Sequence, residues 1–264
     1  MSESVLVHIE DHVQVITLNR PERKNAFNGE MIEKWFQALK DAQQNDEVHV
    51  IVITGAGDAF CSGGDVGEVL NSQPEPLESK NLLWEHIHKI PLLLRDLDKP
   101  VIAAINGIAV GAGLDMALMA DIRTMSSTAR VSEGYVKVGL VPGDGGAYFL
   151  PRLVGLARAY ELFWTGRFVD AEEALRIGLV NHVYPHDVFM EKTMELAKQI
   201  ASGPQLAIRM TKRAVRQCLT TDLETALDLI SSHMAVIKST EDHKEGVQAF
   251  LEKRKPVFNK RNRS

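Results

Sequence analysis

The sequence predicts an α/β chain with mostly parallel strands, followed by a helical C-terminal region. Two continuous β-branched runs, Val48 to Thr54 and Val101 to Ile105, have the composition of strands buried on both faces. Each leads through a glycine-rich loop toward a helical pattern and then another strand, the order expected of parallel α/β units. Beyond about Asp187 strand-like segments cease and only helical patterns follow.

Taken in order, Val5 to Leu18 alternates apolar residues around Asp11-His12, which reads as two short strands and a tight turn. Asn28 is a good N-cap, and Met31, Ile32, Trp35, Phe36 and Leu39 follow at helical spacing. Val48 to Thr54 ends in Gly55-Ala56-Gly57-Asp58. Val101 to Ile105 leads into Asn106-Gly107 and a helix over about 113–119, and Asp121 to Met125 begins another short strand. Met190 to Ile200, Pro204 to Cys218, Leu223 to Ile237 and Thr240 to Lys253 read as helices. Ser239-Thr240 supplies a hydroxyl to start the last. This divides the chain into an α/β core, residues 1–190, and a helical region, residues 191–264. Leu223, Ala226, Leu227 and Ile230 give the helical region an apolar face that a partner subunit would cover.

Composition narrows the function classes. The 264 residues are 45% hydrophobic and 25% charged, an ordinary globular balance. A net charge of -5 argues against a whole-surface nucleic-acid binder, so no nucleic-acid partner is expected. No apolar run approaches the roughly 18–20 residues of a membrane-spanning helix, so no membrane partner is expected either. Cys61 and Cys218 form no disulfide framework and no metal-type spacing. With a first segment, Met1-Ser2-Glu3-Ser4, unlike a secretory signal, the expectation is a cytoplasmic protein.

Two glycine-rich loops are the chemical candidates: Ala59-Phe60-Cys61-Ser62-Gly63-Gly64-Asp65 and Asn106-Gly107-Ile108-Ala109-Val110-Gly111-Ala112-Gly113. Where such a loop opens a helix, the first amides have no internal acceptor and point at whatever lies there. Two amides converging on one point would hold a carbonyl oxygen that becomes negative. Neither loop has the lysine of a phosphate-binding loop or the spacing of a dinucleotide fingerprint.

Further segments accompany these loops: Arg20-Pro21 with Lys24-Asn25-Ala26, Lys99-Pro100-Val101-Ile102-Ala103-Ala104-Ile105-Asn106-Gly107, Val138-Gly139-Leu140-Val141-Pro142-Gly143-Asp144-Gly145-Gly146, Leu150-Pro151-Arg152, and Glu245-Gly246 with Ala249 to Arg254. In this order, over about residues 10 to 258, the chain resembles the enoyl-CoA hydratase/isomerase (crotonase) superfamily. The resemblance implies a crotonase-like (ClpP/crotonase) spiral of β-β-α units with a C-terminal helical region that builds trimers, often paired into hexamers. It implies an acyl-CoA substrate, no separate cofactor and no metal. The enolate-stabilising amides would be those of Gly64 and Ala112, where the family commonly has glycine at the second position; Asp65 would cap the helix after the first loop. Lys24, Ala26, Ala59, Gly63 and Val66 would line the coenzyme A channel, and Lys253 and Lys260 would meet its phosphates.

The reaction type is where this sequence departs from the family. Hydratases of this kind use two glutamates; here Asp115 stands at the first position and Tyr135 at the second. Tyrosine is a poor base at neutral pH. Glu133 would share a strand face with Tyr135 if the segment is extended, and Asp144 would enter from the neighbouring turn. Asp115 alone would suit a C2-to-C4 proton shuttle. The expectation is therefore an enoyl-CoA hydratase/isomerase working through a thioester enolate, with a CoA-thioester isomerase, hydrolase or decarboxylase, or a catalytically quiet CoA-binding paralogue, as alternatives. His86 and His88 read as incidental, and Cys61 as a small buried side chain with no activating base.

Overall fold

The computed structural model describes residues 3–65 and 75–260. Among them, the first sheet takes strands in the order β1 (Val5–Glu10), β2 (Val13–Leu18), β3 (Val50–Gly55), β5 (Val101–Ile105), β7 (Ile122–Ser126) and β10 (His182–Tyr184). Only β1 and β2 run antiparallel; the other neighbours are parallel. A second sheet holds four short strands in the order β4 (Ala59–Cys61), β6 (Ile108–Val110), β8 (Arg130–Ser132) and β9 (Val169–Asp170). Each turn of chain thus lays one strand in each sheet, β3 then β4, β5 then β6, β7 then β8. This is the β-β-α spiral expected from the resemblance.

Side-chain alternation explains why the first sheet is buried on both faces. Ile51, Ile53, Val101, Ala103 and Ile105 join Trp35 and Leu39 of the helix Gly29–Gln44 in one core. Val50, Val52, Ile102 and Ala104 point the other way, onto Phe189, Ala197 and Ala201 of the helix Phe189–Ala201. The first helix starts where the sequence places its cap, since the Asn28 side chain accepts from the Met31 amide at 3.0 Å. The hairpin between β1 and β2 turns at Asp11 and His12, both in the left-handed region.

The C-terminal helices run Phe189–Ala201, Gln205–Cys218, Leu223–Lys238 and Glu241–Leu251. The Thr240 side chain caps the last, accepting from the His243 amide at 3.2 Å. Their apolar face is bare: Leu223, Leu227 and Ile230 are exposed while Ala226 is buried. No helix among the described residues is long and apolar enough to cross a membrane.

Candidate active site

Parallel pairing of β4 with β6, Ala59 opposite Ile108 and Cys61 opposite Ala109, makes the two glycine-rich segments leave the second sheet side by side. A β-carbon built on Gly63 would lie only 3.6 Å from the Ala112 nitrogen. Phe27 holds the first segment, donating to Gly63 O at 2.8 Å and accepting from the Asp65 amide at 2.9 Å. That bridge passes on either side of the Gly64 N–H and leaves it out. Gly111 holds the second segment, donating to Ser132 O at 2.8 Å. Ala112 then opens the helix Ala112–Leu118, so its N–H has no intrahelical acceptor. The two segments that carry the amides which the resemblance assigns to an oxyanion hole, those of Gly64 and Ala112, therefore meet at one junction.

Two asparagines of the sequence motifs, to which the sequence alone assigns no role, set this junction. Asn25, fully buried with φ 56°, donates to Ala56 O at 2.9 Å and Ala59 O at 2.7 Å. Asn106 donates to Gly57 O and Ala59 O, and accepts from the Gly55 amide at 3.1 Å. Together they fix the turn between β3 and β4. Arg20 pairs with Asp65 at 3.0 Å, and Lys24 with Asp58. The helix that Asp65 was expected to cap falls outside the described residues.

Behind the junction lies a cluster of acids. Asp115, Glu133, Asp144 and Tyr135 are 0, 1, 5 and 9% exposed. Asp115 Oδ2 accepts from the Tyr135 hydroxyl at 2.8 Å and from the Asp144 amide at 3.2 Å. The same hydroxyl lies 3.1 Å from Asp144 Oδ2. One hydroxyl proton serves two ionised carboxylates poorly, so the two contacts favour a second proton on one of them. The Tyr135 ring rests against the Gly111 turn, where a β-carbon would lie 3.6 Å from Cε2.

Burial pushes Asp115 up from its ordinary value, with the Tyr135 hydroxyl and backbone amides pulling the other way. Burial first, and then the Asp115 charge, push Glu133 up. Asp144 is raised by burial, against Tyr135 and His88. The Tyr135 phenol is raised far out of range, first by burial and then by the surrounding carboxylates. The cluster is built to hold protons.

Two sequence expectations change here. Glu133 and Tyr135 do not share a strand face: β8 stops at Ser132, and Gly134–Val138 is a 3₁₀ turn closed by Gly139 at φ 72°. The turn, not an extended run, sends both side chains inward. His88 is also more than incidental. Its Nε2 donates to Gly143 O at 2.8 Å and lies 3.9 Å from Asp144 Oδ1, which seats the loop that carries Asp144. His86 stays half-exposed beside Glu33.

Among the expected coenzyme A residues, Lys24, Ala26 and Gly63 lie on the strap bounding the first loop, where Lys24 O accepts from the Ser62 amide at 3.0 Å. Ala59 is fully buried, Val66 lies outside the described residues, and Lys253 and Lys260 are exposed beyond the last helix. Cys61 is buried, its thiol pushed up to about 12 by burial, and its Sγ donates to Asn25 O at 3.1 Å. No group of three His, Cys, Asp or Glu side chains among the described residues is disposed to hold a metal ion. Crevices of about 430 and about 400 Å³ lie elsewhere, one around Lys99, Gln205 and Arg209, the other an apolar groove between Leu206 and Phe250. Neither includes a residue of the acid cluster.

The family model described as Enoyl-CoA hydratase/isomerase matches residues 8–261. Over its length the chain is 36% identical to the 1,2-epoxyphenylacetyl-CoA isomerase of Escherichia coli, covering 98% of this chain and 99% of that one. It is 36% identical to the short-chain-enoyl-CoA hydratase of Clostridium acetobutylicum, with 96% of each covered. A solved enoyl-CoA hydratase from Mycobacterium smegmatis superposes with a TM-score of 0.91 at 31% identity, covering 97% of this chain and 99% of that one.

Proposed function

Because the chain belongs to the enoyl-CoA hydratase/isomerase family, we propose that it acts on an acyl-CoA thioester by moving a proton at carbon through an enolate. Asp115 is the base, and the Gly64 and Ala112 amides hold the thioester oxygen. One observation carries this reading: a fully buried carboxylate is hydrogen-bonded by Tyr135, whose ring lies against the Gly111 turn that opens the oxyanion helix.

The chemistry follows from these positions. Loss of a proton beside a thioester puts negative charge on its oxygen, and two preset N–H groups lower that barrier because they need not reorganise. The proton goes to Asp115, the electron pair into the enolate. With an unsaturated acyl chain the negative charge spreads along the conjugated system, and the same carboxyl returns its proton at the far carbon. That is an isomerisation, and one acid/base group completes it. Tyr135 covers Asp115 Oδ2 and gives way as the acyl chain enters, leaving that oxygen to face the reacting carbon.

Hydration is the second reading, and Asp144 favours it. Water must add at C3 while C2 gains a proton, which takes a second group. Asp144, sharing the Tyr135 hydroxyl with Asp115, is the carboxyl placed to serve. The bare apolar face of the C-terminal helices supports assembly of several copies, with a trimer as the form we favour. On this reading Lys253 and Lys260 contact the phosphates of coenzyme A, which enters as part of the substrate rather than as a separate cofactor.

Proton NMR of products from a panel of CoA thioesters tests the reading: crotonyl-CoA, a 3-enoyl-CoA, a β-keto acyl-CoA and a malonyl-type CoA. Conversion of the 3-enoyl to the 2-enoyl isomer is the expected result. Water added to crotonyl-CoA would replace isomerisation by hydration. Hydrolysis or decarboxylation alone, or no turnover of any member, would overturn both readings.

A further inference from the structure

Glu133 presents a problem that the proposed reaction leaves unanswered. It is 1% exposed, and among the described residues neither of its carboxyl oxygens has a hydrogen-bond partner. Asp115 Oδ1 has no side-chain partner either, with only the Gly146 amide near it. These oxygens flank the same backbone position: a β-carbon on Gly146 would lie 2.2 Å from Asp115 Oδ1 and 3.1 Å from Glu133 Oε1. Two adjacent buried carboxyls cannot both ionise without a cation between them.

The groups facing the pair come from every neighbouring element. Tyr135 comes from the turn after Glu133, Asp144 from the loop before the helix Gly146–Val154, and Cys61 from the end of β4 near Asp144. His88 stands behind Asp144, 3.9 Å from its Oδ1. None of these supplies a permanent positive charge to Glu133. A single proton held between Glu133 and Asp115 Oδ1 gives a partner to that oxygen and to one of the two Glu133 oxygens.

We propose that Glu133 is a positioning residue that works in its neutral form, donating its carboxyl proton to Asp115 Oδ1 and fixing the plane of that carboxylate. Asp115 is then held on one oxygen by Glu133 and presents the other, under Tyr135, to the substrate. Glu133 is on this account not the missing second base. The upward push on Glu133 from burial and from the Asp115 charge agrees with the arrangement. The inference deepens the proposed function and rests on Asp115 being its base.

Two variants and one spectrum test it. Glu133→Gln keeps an N–H to donate to Oδ1 and cannot ionise, so it is expected to retain kcat within a few-fold. Glu133→Ala removes the donor, and a carboxylate freed to rotate loses about 10²-fold in kcat. In Glu133→Ala the acid limb of kcat/KM also moves to higher pH, because Asp115 has lost a hydrogen bond that favours its charged form. An ionised Glu133 gives the opposite signs: Glu133→Gln fails as badly as Glu133→Ala, and removing a like charge moves the limb to lower pH. Either result overturns the proposal.

The infrared difference between the unliganded wild type and Glu133→Gln at neutral pH reads the same proton without turnover. A protonated-carboxyl band lost in the variant supports the assignment; its absence from the wild type overturns it. A wild type that shows the band but converts no thioester would sink the functional reading while leaving the shared proton in place.

Discussion

Asp115→Asn is expected to fold normally and to lose turnover by about 10³-fold, within the range of a removed general base. The substitution is nearly isosteric. The new amide oxygen can still accept from the Tyr135 hydroxyl and the Asp144 amide, which hold the native Oδ2 at 2.8 and 3.2 Å. The new amide nitrogen falls on the Oδ1 side, toward Glu133, whose oxygens have no other partner among the described residues. A buried charge is thereby replaced by a neutral group that keeps the contacts on Oδ2 and can donate to a Glu133 oxygen where the native Oδ1 accepted, so the thermal midpoint should hold or rise. What the amide cannot do is take a proton from carbon. Progress curves with the panel substrate that the wild type converts, alongside a melting curve, separate the two effects. Turnover within tenfold of wild type would remove Asp115 from the mechanism.

The wild type carries a matching pH signature. Burial is the largest influence on Asp115 and raises it. As pH falls through that raised value the base is protonated and the rate declines, so the acid limb lies above the ordinary carboxylate range of about 4.

The second large effect is expected at Gly113, which has no side chain to take part in the chemistry. A β-carbon there would lie 2.1 Å from Cys61 O, 2.6 Å from Cys61 C and 3.0 Å from Cys61 Cβ. The obstacle is mostly strand backbone, which cannot swing aside as a flexible side chain would. Gly113→Ala must therefore push the helix Ala112–Leu118 away from β4. Overpacking of this kind costs about 1–3 kcal/mol, and here the upper end is expected because main chain is displaced. The same shift separates the Gly64 and Ala112 amides, and a misplacement of about 1 Å costs about 10²-fold in rate. Both losses should appear together, in urea midpoint and in kcat. Ala112→Gly, one residue earlier, keeps the N–H and should change kcat little. A Gly113→Ala protein as stable and active as wild type would show that the two loops do not approach as described.

Much of this architecture is legible in local sequence because local physics dictates it. The runs Val48 to Thr54 and Val101 to Ile105 carry their own burial pattern, and Asn28 caps its helix with its own side chain. The strands β4, β6 and β8 are three residues each, too short to show any period, and exist because they pair with one another. His88 reaches Gly143 across 55 positions of sequence, which no spacing rule reveals. Reading 133–135 as extended failed for a definite reason. Gly134 packs so tightly under Val110 that a β-carbon would lie 2.9 Å from its Cγ1, and the chain coils there to bring Tyr135 inside. The amide pair and Asp115 came from the resemblance to a family, and the neutral role argued for Glu133 only from the atoms around it.

Folding makes the buried acid cluster take up protons. Asp115, Glu133 and Asp144 all titrate higher in the folded state than carboxyls do in water, so these three groups bind more protons in the native protein than in the unfolded chain over the interval between the two sets of values. Stability contributed by these groups is fully present below the unfolded carboxylate range, near pH 4, and is lost as pH rises through the folded values. The acid cluster thus acts as a thermodynamic load at neutral pH, one that the fold carries in order to keep a base dry. Urea midpoints of wild type and Glu133→Gln, taken at about pH 5 and about pH 8, should diverge, with the wild type losing more on the alkaline side.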